Sequence, residues 1–522
     1  MGEASSNKHC IRWRRWIGLS IAVLILSGCM LGPDYIRPQA QTQAQWLEAS
    51  DPRLLTEADD QLEWWRVFDD PMLTSLIQTA YRQNLTLQIA GLRILQARAI
   101  LGITAGSQYP QSQLGVGVYS SNQLSESTAS VPPDTGFSNW RFGFDAAWEI
   151  DVWGRFRRGI ESSNAELQAS IADYDDVLVS LVAEVAATYV QIRTFERRLD
   201  LARTNIDLQQ ESLKLVEARV RVGATSKLDV YEALSQLRDT QSTIPELETF
   251  LRQATNALSV LLGMMPRDLT DVLGGPKPIP TAPPQVAVGM PADLLRRRPD
   301  VQRAERAAAA QSAQIGIAVT DLYPQFFLRG GLFIEAEDFA DLGSASSVAG
   351  FISPAFQWPI LNYGRIKNNV RLQDALFQER ILDYQNTVLR AAQEVEDATV
   401  AFLRVQDQAK FLEESVAATQ SRFNLASIQY REGDITFTRL LDAQAVLLSR
   451  QDRLATSRGS IPLNLIAIYK ALGGGWQIRL GQEFIPEKTQ EIMRARTNWG
   501  RLLAEPKTSE TKPVQFFTPI DW

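Results

Sequence analysis

The sequence predicts a mainly α-helical chain that also lends strands to a membrane β-barrel and is internally duplicated. Three observations lead there: a tandem repeat, a recurring β-hairpin pattern, and two very long helical stretches without proline.

The repeat is direct. Trp148-Glu149-Ile150-Asp151-Val152-Trp153-Gly154-Arg155 is answered by Trp358-Pro359-Ile360-Leu361-Asn362-Tyr363-Gly364-Arg365, an offset of 210 residues that then persists without insertion. Gly223 falls on Gly433, Glu184-Val185 on Glu394-Val395, and Leu262-Gly263 on Leu472-Gly473. The expected organisation is a first unit over 72–289 and a second over 290–475, preceded by an extended segment over 29–71 and followed by a belt or tail over 476–522.

Every even position from Trp140 to Val152 is apolar, whereas the odd positions include Arg141, Asp145, Glu149 and Asp151. A period of two marks a strand with one oily and one charged face, long enough to cross a membrane at a tilt. Upstream, Leu114, Val116 and Val118 alternate with Gly115, Gly117 and Tyr119, and the Ser, Pro and Gly-rich stretch from Ser120 to Ser138 reads as an exposed loop. The predicted strands cover 110–120, 139–152, 324–335 and 350–361, the last made irregular or placed at a rim by Pro354 and Pro359. A soluble sandwich would show the same alternation, so the helices must arbitrate.

Residues 155–222 contain no proline and only Gly159, and residues 365–432 contain neither proline nor glycine. Apolar residues three or four apart, as in Val177, Leu181, Val185, Tyr189, Ile192, Phe195 and Leu199, mark amphipathic helix. At ~1.5 Å per residue each stretch makes a helix of ~100 Å, which no compact domain holds. Returning helices over 226–262 and 436–472 are about half as long, and helical segments from Met72 to Gly106 and from Ala292 to Val319 could stack on their ends. Four strands per chain cannot close a barrel, and an open edge in lipid costs several kcal/mol per unpaired group. Association follows, most economically a homotrimer with twelve strands.

The first residues form a secretory leader, with Lys8, Arg12, Arg14 and Arg15 ahead of an apolar run from Ile17 to Leu26. Its end, Leu26-Ser27-Gly28-Cys29, resembles the lipobox of bacterial lipoproteins. That resemblance implies removal of residues 1–28 and an N-acyl, S-diacylglycerol lipid on Cys29. Met30, in place of aspartate, implies the outer membrane of a Gram-negative cell. His9 and Cys10 leave with the leader, so the mature chain has no imidazole and no free thiol. Cys/His nucleophilic pairs, Ser-His-Asp triads and Cys/His zinc sites are excluded, and no enzyme activity, metal or cofactor is expected. The formal charge of −7, more negative still without the leader, argues against nucleic acid.

Further elements carry a family likeness: Trp64-Trp65 with Phe68 and Asp70-Pro71, Arg297-Arg298-Pro299-Asp300-Val301, Tyr323-Pro324, and Gly433 through Asp442-Ala443-Gln444. From Cys29 to about Gly475 the chain resembles the TolC-like outer-membrane factors, in the lipidated efflux branch similar to OprM and NodT. The resemblance implies a trimer whose twelve-stranded outer-membrane barrel stands on a long α-helical periplasmic tunnel. It implies an exit duct that docks through a periplasmic adaptor onto an inner-membrane RND-type pump. A type I secretion exit channel and a non-conducting coiled-coil tether are the alternatives.

Members of that family close at the periplasmic tip. Asp229 and Tyr430 resemble the aspartate and tyrosine that link neighbouring hairpins, and Asp442 resembles an aspartate of the constriction. Ile435 and Arg439 depart from the family pattern, the first standing where a gate arginine is usual and the second where a further aspartate is usual. The expected rearrangement pairs Arg439 with Asp229 or Asp442. Of the remaining motifs, Arg296-Arg297-Arg298 reads as a structural run rather than an anion site. Trp140, Trp148, Trp153, Trp358 and Tyr363 read as interfacial aromatics, with core packing the competing account for Trp153 and Tyr363.

Overall fold

The computed structural model describes residues 30–40, 43–55, 61–123, 136–293 and 297–503. Cys29, the leader and residues 504–522 lie outside the described residues. The first repeat contains α1 (Pro71–Gln83), α2 (Leu85–Gly106), β1 (Ser112–Gln123), β2 (Gly136–Ile150), α3 (Arg155–Arg221) and α4 (Lys227–Leu261). The second contains α5 (Pro299–Thr320), β3 (Gln325–Ala336), β4 (Val348–Gln357), α6 (Arg365–Glu432) and α7 (Phe437–Ala471), and α8 (Glu487–Arg496) follows.

The long helices α3 and α6 have 67 and 68 residues, and the return helices α4 and α7 have 35 each. Glycine sets their limits, because the left-handed backbone at each boundary is cheap for glycine alone. Gly154 and Gly364 open the long helices at φ 79° and 84°, and Gly223 and Gly433 close the tips at 73° and 92°. α3 lies between α4 and α7, α6 packs along α7, and α5 bridges α3 and α6.

The helical segment expected from Met72 to Gly106 is in fact two helices, parted at Asn84 (φ −62°, ψ 124°). Asn84 leaves the helix because its side chain does two jobs there. It accepts from Leu87 N at 3.0 Å, capping α2, and donates to Leu261 O at 3.0 Å, closing the end of α4. In the second repeat Arg298 holds the same place before α5 and donates to Ala471 O at 2.7 Å, closing α7. Arg298 also makes two bonds to Asp300, at 3.0 and 2.7 Å, and one to Glu394 at 2.7 Å. Its part of the arginine run is therefore a buried splice between helices.

The tryptophan motif is equally structural. Trp64 stacks on Tyr469 at 5.2 Å and meets Trp65 edge-on at 5.8 Å. Asp70 caps α1 through Met72 N at 2.9 Å and accepts from Tyr189 of α3 at 2.6 Å, while Pro71 sits in the first turn, where its missing N–H costs nothing. The N-terminal segment and the linker between repeats meet where Leu54–Leu55 pairs in parallel with Val286–Ala287. Past α7 the chain wraps back. Arg479 forms a buried ion pair with Asp175 of α3, and Ile485, Met493 and Leu503 cluster on Leu95 of α2.

The four strands form one antiparallel sheet in the order β1-β2-β3-β4. β4 stops at Gln357, so residues 358–361 of the expected last strand are not strand; Pro359 cannot donate to a ladder there. Pro354 is tolerated because β4 is an edge. The register sorts the faces. Trp140, Phe142, Phe144, Ala146, Trp148 and Ile150 lie opposite Ala336, Ile334, Leu332, Gly330, Leu328 and Phe326, an uncharged face. Arg141, Asp145, Glu149, Arg329 and Glu335 share the other face.

Alternation in β1 does not say which set joins which face. Register decides it: Leu114, Val116 and Val118 oppose Asp145, Gly143 and Arg141 and so lie on the charged face. Gly115 and Gly117 lie on the oily face, where the rings of Phe144 and Phe142 cover them. Aromatics mark both ends of that face. Trp140 packs on Tyr119 at 4.4 Å and Phe339 at 5.2 Å. Eight residues away, ~27 Å at ~3.4 Å each, Trp148 donates to Gln108 O at 2.9 Å. That separation suits an apolar band of ~25 Å crossed at a tilt.

Candidate functional sites at the two ends of the helices

At the tips, each long helix reverses into its return helix within a few residues of Gly223 or Gly433, and among the described residues a Cβ added at either glycine would meet nothing within 4 Å. Behind the turns, Tyr430, Phe437, Leu440, Ala443, Val216, Ala233 and Ala426 form a small core of their own. Tyr430 packs on Phe437 at 5.6 Å, with the Arg219 guanidinium 4.4 Å above its ring. Arg219 donates to Arg431 O at 2.8 Å, so this one side chain ties the first hairpin to the second. Burial pushes the Tyr430 phenol up from its ordinary value, opposed by the Arg219 charge and reinforced by the Asp229 carboxylate.

Tyr430 thus lies within electrostatic reach of Asp229, but the expected pairing of Arg439 is not made among the described residues of the chain. Asp229 accepts from Thr225 in the first turn of α4, where the helix dipole favours an anion. Asp442 pairs with Arg422. The reason is antiparallel geometry: Arg422 on α6 and Asp442 on α7 stand at similar distances from the Gly433 turn and meet across the hairpin. Arg439, in the first turn of α7, is exposed and has no carboxylate partner among the described residues. Sequence reasoning missed Arg219 and Arg422. Matching opposite charges about the turn would have found Arg422, whereas Arg219 acts through a ring and a carbonyl and leaves no charge pattern.

The Arg422–Asp442 pair is half exposed on both sides, worth ~0–1 kcal/mol. That is weak enough to act as a latch. Arg422→Ala and Asp442→Ala are each expected to raise closed-state leakage in planar bilayers several-fold, the double variant no further than either alone. Unchanged leakage in both single variants would remove the pair from the gate.

At the other end, the chain just after Cys29 is clamped where strands become helices. Met30 lies against Gly154, where a Cβ would come within 2.8 Å of its side chain. Leu31 N donates to Trp153 O at 3.1 Å. The buried Arg158 of α3 donates to Leu31 O at 3.0 Å, to Asp34 at 2.8 Å and to Glu161 at 2.7 Å. Trp153 packs on Tyr323 at 5.0 Å and donates to Pro324 O at 2.8 Å, while Trp358 donates to Leu322 O at 3.0 Å. The N-terminal segment therefore enters beside a hydrogen-bonded indole, Trp153, at the strand-to-helix junction.

The sequence profile of the family described as Outer membrane efflux protein matches residues 76–264 and 290–474, one match per repeat. Nodulation protein T of Rhizobium leguminosarum bv. trifolii is 29% identical over 457 residues, 87% of this chain and 96% of that protein. The toluene efflux pump outer membrane protein TtgF of Pseudomonas putida is 30% identical over 471 residues, 88% of this chain and 96% of that protein. Among solved structures, the outer-membrane channel OprN superposes with a TM-score of 0.80 at 32% identity, covering 86% of this chain and all of that one. With both repeats matched and the whole architecture shared, this chain belongs to the outer membrane efflux protein family.

Proposed function

We propose that three copies of this chain form a passive exit duct in the outer membrane, through which small molecules leave a tripartite efflux system. The observation that carries the reading is the sheet. Its edges, β1 and β4, are both unpaired among the described residues, and its charge is confined to one face. In lipid neither edge can stay open. In a four-strand meander the first and last strands run antiparallel, so β4 of one copy can pair with β1 of the next. Repeated three times, this closes twelve strands, with the charged face towards a water-filled lumen.

The ~100 Å helices then carry the lumen across the periplasm to the tips, where a periplasmic adaptor and an inner-membrane RND-type pump would dock. The clamping of Leu31 and Asp34 by Trp153 and Arg158 supports an anchor role for Cys29, whose acyl chains would enter the bilayer beside the barrel wall. The relatives are named for different cargoes, so cargo does not transfer from them. A wide aqueous tunnel needs no reaction of its own.

Purified protein in planar bilayers should give stable single-channel current, and native mass spectrometry should give a three-chain mass. A tether predicts no current, and an assembly that leaves twelve strands unclosed predicts a different mass. Separately, Cys29→Ser is expected to abolish labelling by radioactive palmitate; retained label would place the lipid on another residue.

A further inference from the structure

We infer, building on the reading of the tip as the gate, that α7 is a lever hinged at Gly459–Pro462, and that Gln209 of α3 and Gln444 of α7 are the catch that holds it. The hinge comes from local chemistry. Ser457, Gly459, Ser460 and Pro462 crowd into six residues of α7. Pro462 has no N–H to give the carbonyl four residues back, and Gly459 adds backbone freedom, so bending is cheap there. The same point is a fulcrum, because a Cβ added to Gly459 would collide with the Thr194 side chain of α3. Only glycine lets the two helices touch so closely.

From this fulcrum towards the tip, α3 and α7 run antiparallel in a register fixed by several contacts. Arg198 pairs with Asp452, Asn205 donates to Gln451 at 3.0 Å, and Val216 shares the tip core with Leu440 and Phe437. That register sets Gln209 opposite Gln444. The two are 2% and 1% exposed. Buried amides are normally fully bonded, and these are not. Gln209 Nε2 donates to Thr240 of α4 at 2.9 Å, but its Oε1 has no partner among the described residues, and neither has Gln444 Nε2. An orphaned acceptor thus stands across the seam from an orphaned donor. One turn nearer the fulcrum, Asn205 Oδ1 is also unpartnered.

Two seatings satisfy these groups. In one, Gln444 donates directly to Gln209. In the other the helices stand further apart and a water bridges them, since two acceptors and one donor are a set that one water molecule can serve. Buried amides in a helix seam choose a seating rather than add stability, which apolar side chains would supply better.

The lever amplifies the choice. Gln444 is 15 residues from Gly459 and Gly433 is 26, which is ~22 Å and ~39 Å along the helix. Direct and water-bridged contacts differ by ~2 Å, which becomes ~3–4 Å at the tip and needs a bend of only ~5°. Long helices curve gently without breaking, so α6 can follow. It is tied to α7 at the fulcrum by Arg458–Glu413 and near the tip by Arg422–Asp442.

The test is a double-mutant cycle on the full-length protein. Gln209→Leu with Gln444→Leu replaces both amides by apolar groups, so the oligomer is expected to assemble with a melting temperature at or above that of wild type. Its closed-state leakage in planar bilayers should nevertheless rise several-fold, and each single variant should leak as much as the double. Pro462→Ala, which stiffens the hinge, should keep the oligomer and suppress the added leakage of the double variant. Leakage equal to wild type in the double variant, while Arg422→Ala still raises it, overturns the catch and leaves the gate standing. Added leakage that Pro462→Ala does not reduce overturns the hinge. Leakage that neither the amide variants nor Arg422→Ala changes overturns the reading of the tip as the gate.

Discussion

Arg298→Met is expected to destabilise the protein by ~3–5 kcal/mol, visible as a large fall in the melting temperature of the purified oligomer. The guanidinium is buried at the junction of α5, α6 and α7, and it satisfies Asp300, Glu394 and the last carbonyl of α7 at once. Removing it leaves a shielded carboxylate and an open helix end without compensation. Arg298→Lys keeps the charge but loses the fork that spans both oxygens of Asp300, so a substantial part of the loss should remain. Asn84→Ala is the informative comparison. It removes the equivalent splice in the first repeat, but as a neutral cap it should cost only ~1 kcal/mol. Equal losses at Arg298 and Asn84 would mean that the charge contributes nothing beyond the cap.

The second large effect concerns the membrane. Phe144→Arg, midway between Trp140 and Trp148 on the uncharged face, is expected to cost ~2–4 kcal/mol per copy and to deplete assembled protein from the outer-membrane fraction. Leu114→Arg, on the neighbouring strand but on the opposite face, should be tolerated to within ~0.5 kcal/mol because it points into water. Both can be read from the amount of heat-resistant oligomer on gels. Loss at Leu114 with tolerance at Phe144 would reverse the two faces of the sheet.

These two tests fall on features of different legibility. The boundaries of α3, α4, α6 and α7 could be read from the letters because local chemistry sets them. Gly154, Gly223 and Gly263, with Gly364, Gly433 and Gly473, all adopt left-handed backbone, and proline is missing from both long helices. The faces of β2 were readable for the same reason, since charge and apolarity alternate there without exception from Arg141 to Glu149 apart from small residues. The duplication itself is a property of letters alone.

Other features depend on residues far apart in the chain. β1 alternates aliphatic side chains with glycine, so either set could have faced lipid; pairing with β2 chose, and one residue of slip would have reversed it. The break at Asn84 depends on where α4 ends, 177 residues later. Asp442 could have met Arg439 or Arg422, and the winner follows from how α6 lies against α7. Arg298 read as one of three adjacent arginines, yet it acts as the closure of a helix that ends 173 residues further on. Periodicity and backbone preference are encoded within a few residues and so were written in the chain. Choice of face, choice of partner and the closing of helix ends require two segments to meet, and folding alone brings them together.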